Sequence, residues 1–297
     1  MNNTLWITKI QTYVPEHLGL PAVEEVSKTY QKVYDAFDEV NAHSTDEEKA
    51  PVEAALDSDD MAAKIVGDLI KDGVKIGSIQ LLCDCRSSIT GKVPAPSYKV
   101  AVLNDIQSVL PFSIQGQAGT EGIQAFLILE QMMYDKKLDS GVVSLVQKLN
   151  KGDKRVEENE YILGDGAAAL FVEQKAKHGY EILSMAIKRE EAITEAGLGN
   201  IVNKICGEAG ILAEQIQSAV CQNAGENLKL AMKKILPKAS LYERKESKSV
   251  NFGCADVFIT LDEAEKTGQI ADNGTILVLA LGKTKHVGVL LMRLRKE

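Results

Sequence analysis

Apolar positions fall into two kinds of run along this chain. From 61 to 70, Ala63, Ile65, Val66, Leu69 and Ile70 recur at three- and four-residue spacing, which predicts an amphipathic helix. Gly73 closes it, and Ile79-Gln80 leads into the apolar run Leu81-Leu82-Cys83-Asp84-Cys85, a predicted strand. The same order returns near Asn200. Ile201, Val202, Ile205 and Cys206 form a helical stripe, Gly210 ends it, and Ile216-Gln217 introduces Ser218-Ala219-Val220-Cys221. Each copy then closes on paired apolar runs, Gly141 to Val146 with Ala167 to Val172, and Thr275 to Leu281 with Val287 to Leu294. Runs of this length between helices predict strands buried on both faces of a mixed sheet. A repeated unit predicts a duplicated α/β chain with halves 1–174 and 175–297, meeting at the polar stretch Gln174 to Gly179.

Composition narrows the classes. The 297 residues are 45% hydrophobic but only 5% aromatic, so aliphatic helices over a sheet suit the chain better than an all-β sandwich. A net charge of -8 without a basic stripe argues against a nucleic-acid partner, and the basic tract Arg244 to Lys248 reads as a solvated loop. No apolar stretch reaches about 18 residues and the N-terminus lacks a signal-peptide pattern, so the expected location is cytoplasmic, away from membranes. Five cysteines, with Cys83, Cys85 and Cys221 in strands and Cys206 in a helix, fit reduced core thiols. Cys83 and Cys85 share a strand face, but no further Cys or His completes a metal site. His17, His43, His178 and His286 read as loop or terminal residues.

The segment Leu163-Gly164-Asp165-Gly166-Ala167-Ala168-Ala169-Leu170, followed by Phe171-Val172-Glu173, resembles the Gly-Asp-Gly-Ala turn and strand of ketoacyl-acyl-carrier-protein synthase III and other thiolase-fold condensing enzymes. Other pieces resemble the same family in order. Ile7 to Glu16 is similar to its opening strand and turn, Ser58-Asp59-Asp60-Met61-Ala62 to a helix start capped by Ser58 or Asp59, and Leu261 to Ile270 to the helix before its last hairpin. The fold this implies is a thiolase fold with two α/β halves in five αβαβα layers.

The resemblance also marks what is missing. Condensing enzymes place a cysteine at the N-terminus of a buried helix, where dipole and histidine favour the thiolate. The matching segment, Phe112 to Phe126, holds no cysteine; the position falls on Ala118 or Gly119, with Gly119 giving the better match to the helix that follows. Gln222 of Cys221-Gln222-Asn223-Ala224-Gly225 replaces the family's histidine, and an amide cannot shuttle a proton near neutral pH. Cys254 of Asn251-Phe252-Gly253-Cys254 stands where the family carries an asparagine. The Gly-Gly-Gly that helps form the oxyanion hole in active relatives is here Gly282-Lys283-Thr284. Gly164, Asp165, Gly166, Phe252, Gly253, Gly282 and Gly288 remain, a structural set for turns and close packing. The acidic segment Asn41 to Ala50 replaces an Arg-rich stretch suited to coenzyme A. No cofactor or metal is implied.

Glu121 has two readings: a helix-start carboxylate stabilised by the dipole, or a carboxylate offered to a neighbouring subunit. The leading functional expectation is a non-catalytic ketosynthase III-like subunit that scaffolds a catalytic thiolase-fold partner, with or without a small accessory subunit. The family's precedents are the inactive half of the alkyl-quinolone heterodimer and the cysteine-free component of phloroglucinol or tetramic acid acetyltransferase complexes. The alternatives are an acyltransferase or decarboxylase working through Gln222, Gln117, Glu121 or Cys254, and a homodimer that binds an acyl ligand.

Overall fold

The structure of the protein is a computed structural model that describes residues 4–16, 18–19, 50–87, 95–107, 109–117, 119–149, 156–157, 161–190, 193–245, 250–282 and 285–296. The first half runs β1 (Trp6–Tyr13), β2 (Leu18–Gly19), β3 (Ala50–Pro51), α1 (Ser58–Lys71), β4 (Leu81–Arg86), α2 (Pro96–Leu103), β5 (Leu110–Gln115), α3 (Glu121–Lys136), β6 (Ser140–Gln147), β7 (Val156–Glu157), β8 (Tyr161–Leu163) and β9 (Gly166–Glu173). The second runs β10 (Gly179–Arg189), α4 (Glu195–Glu208), β11 (Ser218–Cys221), α5 (Glu226–Ile235), β12 (Ser240–Tyr242), β13 (Val250–Asn251), α6 (Asp256–Lys266), β14 (Thr275–Leu281) and β15 (His286–Arg295).

The duplication predicted from the apolar runs is visible in the strand order. The first half pairs as β5-β4-β6-β9-β1 and the second as β12-β11-β14-β15-β10, the same sequence of roles, with β9 and β15 antiparallel to the other strands of their halves. In each half a helix, a short 3-10 turn (Ile76–Ser78 or Ala213–Gln215) and a buried parallel strand follow one another. The two half-sheets are continuous where Trp6 and Ile7 of β1 pair with Glu181 and Tyr180 of β10, so that ten strands are hydrogen-bonded in one order.

Strand alternation sends β4 side chains to two cores. Leu81, Cys83 and Cys85 face the central layer, while Leu82 joins Met61, Ala62, Ile65, Val66 and Leu69 of α1 on the outer side. Each fully buried side chain of this size contributes about 1.5–3 kcal/mol, so packing of this stripe holds α1 to the sheet more than helix propensity does. Asp57, one residue before the expected caps, accepts from the amides of Asp59 and Asp60 at 2.8 and 2.9 Å. Its extended backbone lets the carboxylate fold back over the first turn, whereas Ser58 is already helical.

α3 and α6 form the central layer. α3 touches β4, β5 and β6 of the first half and β10 and β15 of the second; α6 touches β1, β9, β11 and β14. Their contact includes Phe126 and Phe258, with ring centroids 5.9 Å apart, and a Cβ at Gly122 would lie 2.8 Å from the Phe258 ring. With α1 and α2 outside one half-sheet and α4 and α5 outside the other, the molecule has five αβαβα layers. α6 begins five residues before the stretch expected from sequence and ends at Lys266, where Gly268 turns through φ +70°.

Candidate functional site

Parallel strands expose their carboxyl ends where strand order reverses, a place α/β folds use for ligands. In the second half that place lies between β11 and β14, and Gly119 plugs it. A Cβ built on Gly119 would stand 2.0 Å from the Leu281 carbonyl oxygen and 2.7 and 2.8 Å from Oε1 and Nε2 of Gln222, and its φ is +154°. Gly119, the favoured of the two positions the sequence marks for a nucleophile, therefore has no room for a side chain. Gln222 fills that room: it is buried, its Oε1 accepts the Leu281 amide at 2.6 Å, and its Nε2 donates to Asn251 Oδ1 at 3.3 Å.

Hydrogen-bond donors around this point face the chain's own acceptors. The Gly119 amide donates to Glu121 Oε2 at 2.7 Å, the Gln117 amide to Glu121 Oε1 at 2.6 Å, and the Gly282 amide to the His286 carbonyl at 2.8 Å. Glu121 is completely buried inside its own chain, so of its two readings the structure gives the helix-start carboxylate, folded back over the preceding loop. Ala118, Lys283 and Thr284, together with His17 and the acidic segment 41–49, lie outside the described residues.

The first half repeats the arrangement. Between β4 and β6 the plug is Gly253, at φ +54°, whose Cβ would lie 2.2 Å from Ser87 Oγ and 2.3 Å from Gln147 Oε1. The Cys254 amide donates to Ser87 Oγ at 2.8 Å, and its sulfur sits in the core, 3.6 and 3.7 Å from the Val146 and Cys85 carbonyl oxygens. Burial, then the Glu121 charge, pushes the Cys254 thiol far up, so it carries no thiolate near neutral pH. Asn251, three residues earlier, makes the contact with Gln222 and also accepts the Gly253 amide at 2.7 Å.

Two buried ion clusters escaped the sequence reading. Arg244, placed there in a solvated loop, is buried: it pairs with Asp256 Oδ1 at 2.9 Å, donates to Thr260 Oγ1 at 2.5 Å and to the Val250 carbonyl, and lies 4.9 Å from the Phe252 ring centre. Asp256 in turn accepts the Asn223 and Phe252 amides at 2.8 and 2.9 Å, which fixes the backbone immediately after Gln222 and after Asn251. In β4, Arg86 Nε donates to Asp84 Oδ2 at 2.6 Å and Ser144 Oγ donates to Asp84 Oδ1 at 2.6 Å. Asp59 stands 3.4 Å from Arg86 Nη1. Burial raises the Asp84 carboxyl against the pull of Arg86. Charges at alternate positions of an otherwise apolar strand were the available signal for this second cluster; none marked Arg244.

The Gly-Asp-Gly turn joins β8 to β9. Asp165 accepts the amides of Glu53 and Leu149 at 2.9 and 3.0 Å and pairs with Lys148 at 3.0 Å, tying three segments together. A Cβ on Gly164 or Gly166 would meet the Phe252 ring at 2.8 Å, and one on Gly288 would meet Ile123 at 2.9 Å. Among the described residues no group of three His, Cys, Asp or Glu could hold a metal ion, and no helix is long and apolar enough to cross a membrane.

Solved structures match this geometry over nearly its whole length. ChlB3, an acyltransferase, superposes with a TM-score of 0.79 at 16% identity, over 99% of this chain and 98% of its own. The 3-oxoacyl-[acyl-carrier-protein] synthase III of Aquifex aeolicus VF5 gives 0.76 at 19%, over 97% and 99%. This chain has a thiolase fold. AbyA1, a tetronic acid condensing enzyme, shares that thiolase fold with a TM-score of 0.75 at 12% identity, over 98% and 100% of the two chains. No protein-family model and no curated protein sequence matches the chain.

Proposed function

We propose that this chain is a non-catalytic, ketosynthase III-like subunit that supports a catalytically competent thiolase-fold partner in an acyl-transfer or acyl-condensing complex. The observation that carries the reading is the space at Gly119: the Leu281 carbonyl and the Gln222 amide occupy the volume a nucleophilic side chain would need. The amides of Gly119, Leu281 and Gly282, which stand where an oxyanion would be received, already donate to Glu121, Gln222 and His286. The names of the matching structures supply the chemistry of the partner's reaction, acyl transfer and condensation.

With Gly119 and Gly253 plugging both strand-end crevices among the described residues, function moves to the surface. Among the described residues β5 ends the sheet and pairs on one side only, with β4. Around that edge Tyr98, Val102 and Leu103 of α2 and Leu110 of β5 are each about half exposed, and α2 carries apolar residues on every side. An unpaired strand edge beside exposed apolar side chains is a template for another chain. The partner would dock there.

The test is co-expression of the tagged chain with cysteine-bearing thiolase-fold proteins encoded beside it, then pull-down and an acyl-transfer assay with and without this subunit. Co-purification and dependence of activity on the chain support the proposal. Turnover of malonyl or acetyl thioesters by the chain alone would sink it in favour of an enzyme with substituted machinery.

A further inference from the structure

We infer that Glu121 is a built-in anion: its carboxylate occupies, from within the chain, the Gln117 and Gly119 amides that would otherwise receive the oxyanion of an acyl group or a free carboxylate. The inference rests on reading that loop as a former nucleophile loop, and it adds the residue that keeps it closed.

The geometry is that of a bound carboxylate. Its two oxygens accept from two different amides, Gln117 at 2.6 Å and Gly119 at 2.7 Å, within a fully buried site at the first residue of α3. Charge-assisted bonds to backbone amides are short and about twice as strong as neutral ones, and burial strengthens them further. Both amides belong to the strand-to-helix loop that lies against Gln222 and Leu281, so the carboxylate fixes which way that loop presents its donors.

A second observation is independent of the first. Asp256 holds a related place in the other half: the first residue of α6 and fully buried, it accepts the amide of the residue four before it, Phe252, as Glu121 accepts that of Gln117, while its second oxygen takes the Asn223 amide and Arg244 pairs with it. There the neighbouring loop is likewise closed, with Gly253 seated between Ser87 and Gln147. In both halves an acidic first residue of a central helix accepts an amide of its own entry loop. Removal of the Glu121 side chain therefore leaves two inward-facing amides and a cavity shaped for a carboxylate.

Two measurements test this. Amide hydrogen exchange is followed at Gln117 and Gly119 in the native chain and in Glu121→Gln, with Leu129 in the middle of α3 as the internal control. The neutral amide removes the charge at nearly constant shape, and exchange at both loop amides is expected to rise about tenfold or more while Leu129 is unchanged. Unchanged exchange at Gln117 and Gly119 would overturn the inference. In Glu121→Ala, acetate is expected to raise the melting temperature saturably and beyond chloride at equal ionic strength; equal effects of the two salts would count against it. Where Glu121→Ala does not fold, the exchange result decides. Neither readout depends on a partner protein, so failure here and failure of the pull-down are separate results.

Discussion

Glu121 and Asp256 hold the same place in the two halves of the molecule. Each opens a helix of the central layer, each is completely buried, and each accepts the amide four residues before it, at 2.6 Å from Gln117 and 2.9 Å from Phe252. Each follows a glycine that plugs the carboxyl ends of two parallel strands, Gly119 against β11 and β14, Gly253 against β4 and β6. Among the described residues, each of the two crevices at the strand ends of the duplicated sheet thus has a glycine of the chain itself seated in it.

Gly119 should tolerate no substitution. A side chain there meets a backbone carbonyl at 2.0 Å and a backbone that L residues rarely adopt. Strain of about 1–3 kcal/mol adds to overpacking of about 1–3 kcal/mol, so Gly119→Ala is expected to lose about 2–6 kcal/mol in urea denaturation. Shortening the neighbour, as in Gly119→Ala with Gln222→Ala, should recover only part, because the Leu281 carbonyl stays. Full recovery would mean that Gln222 alone closes the site. For the same reason Gly119→Cys with Gln222→His is expected to show no acyl-enzyme by mass spectrometry.

The two buried arginines should differ. Arg244 bonds Asp256, Thr260 and the Val250 carbonyl, whereas Nη1 and Nη2 of Arg86 make no hydrogen bond, leaving Nε to Asp84 and the 3.4 Å pair with Asp59. Removing one partner of a well-bonded buried pair costs about 3–5 kcal/mol. Arg244→Met is expected in that range. Arg86→Met should cost less, since Asp84 keeps Ser144 and its raised carboxyl can take a proton. Equal losses in parallel denaturation curves would refute the distinction.

At the β5 edge, Val102→Glu with Leu110→Lys places charges on exposed positions that no core contact requires. Surface changes of this kind stay within about 0.5 kcal/mol each. The melting temperature of the isolated chain should hardly move while capture of the proposed thiolase-fold partner is lost. Capture at the native level would put the partner elsewhere.

How far the sequence carried the structure depends on range. Apolar runs at 81–85, 141–146, 167–172, 275–281 and 287–294 lie in β4, β6, β9, β14 and β15, because burial on both faces leaves a local record. The Gly119 to Gln222 contact leaves none, since it joins residues about a hundred positions apart through a carbonyl and an amide rather than through composition. Arg244 misleads for a related reason: it opens a polar tract, and only the tertiary fold brings Asp256 beneath it. Resemblance named the substituted positions; why they stay closed came from distances.

Alkaline pH should weaken the fold through its buried acids. Burial pushes the Cys221 thiol up to about 12 and the Cys254 thiol further, and it raises the Tyr180 phenol, with Glu265 adding to the shift. In the unfolded chain the same groups ionise near about 8.5 for Cys and 10 for Tyr. A folded pKa above the unfolded one means that the native state keeps the proton. The stability these groups hold is therefore full below about pH 8.5 and is lost as pH rises through the interval between the two values. Urea midpoints are expected to fall steadily from pH 8.5 to 11. Over the same range the native thiols should react with a disulfide reagent only as fast as the chain opens, because all five are buried. A midpoint that holds or rises with pH would show that the thiols and Tyr180 titrate alike in both states. Replacing Cys254 and Cys221 with Ala should make the Cys part of the decline shallower, with the raised thiols of Cys85 and Cys206 keeping the rest, and leave the Tyr180 part, which begins at about pH 10, in place.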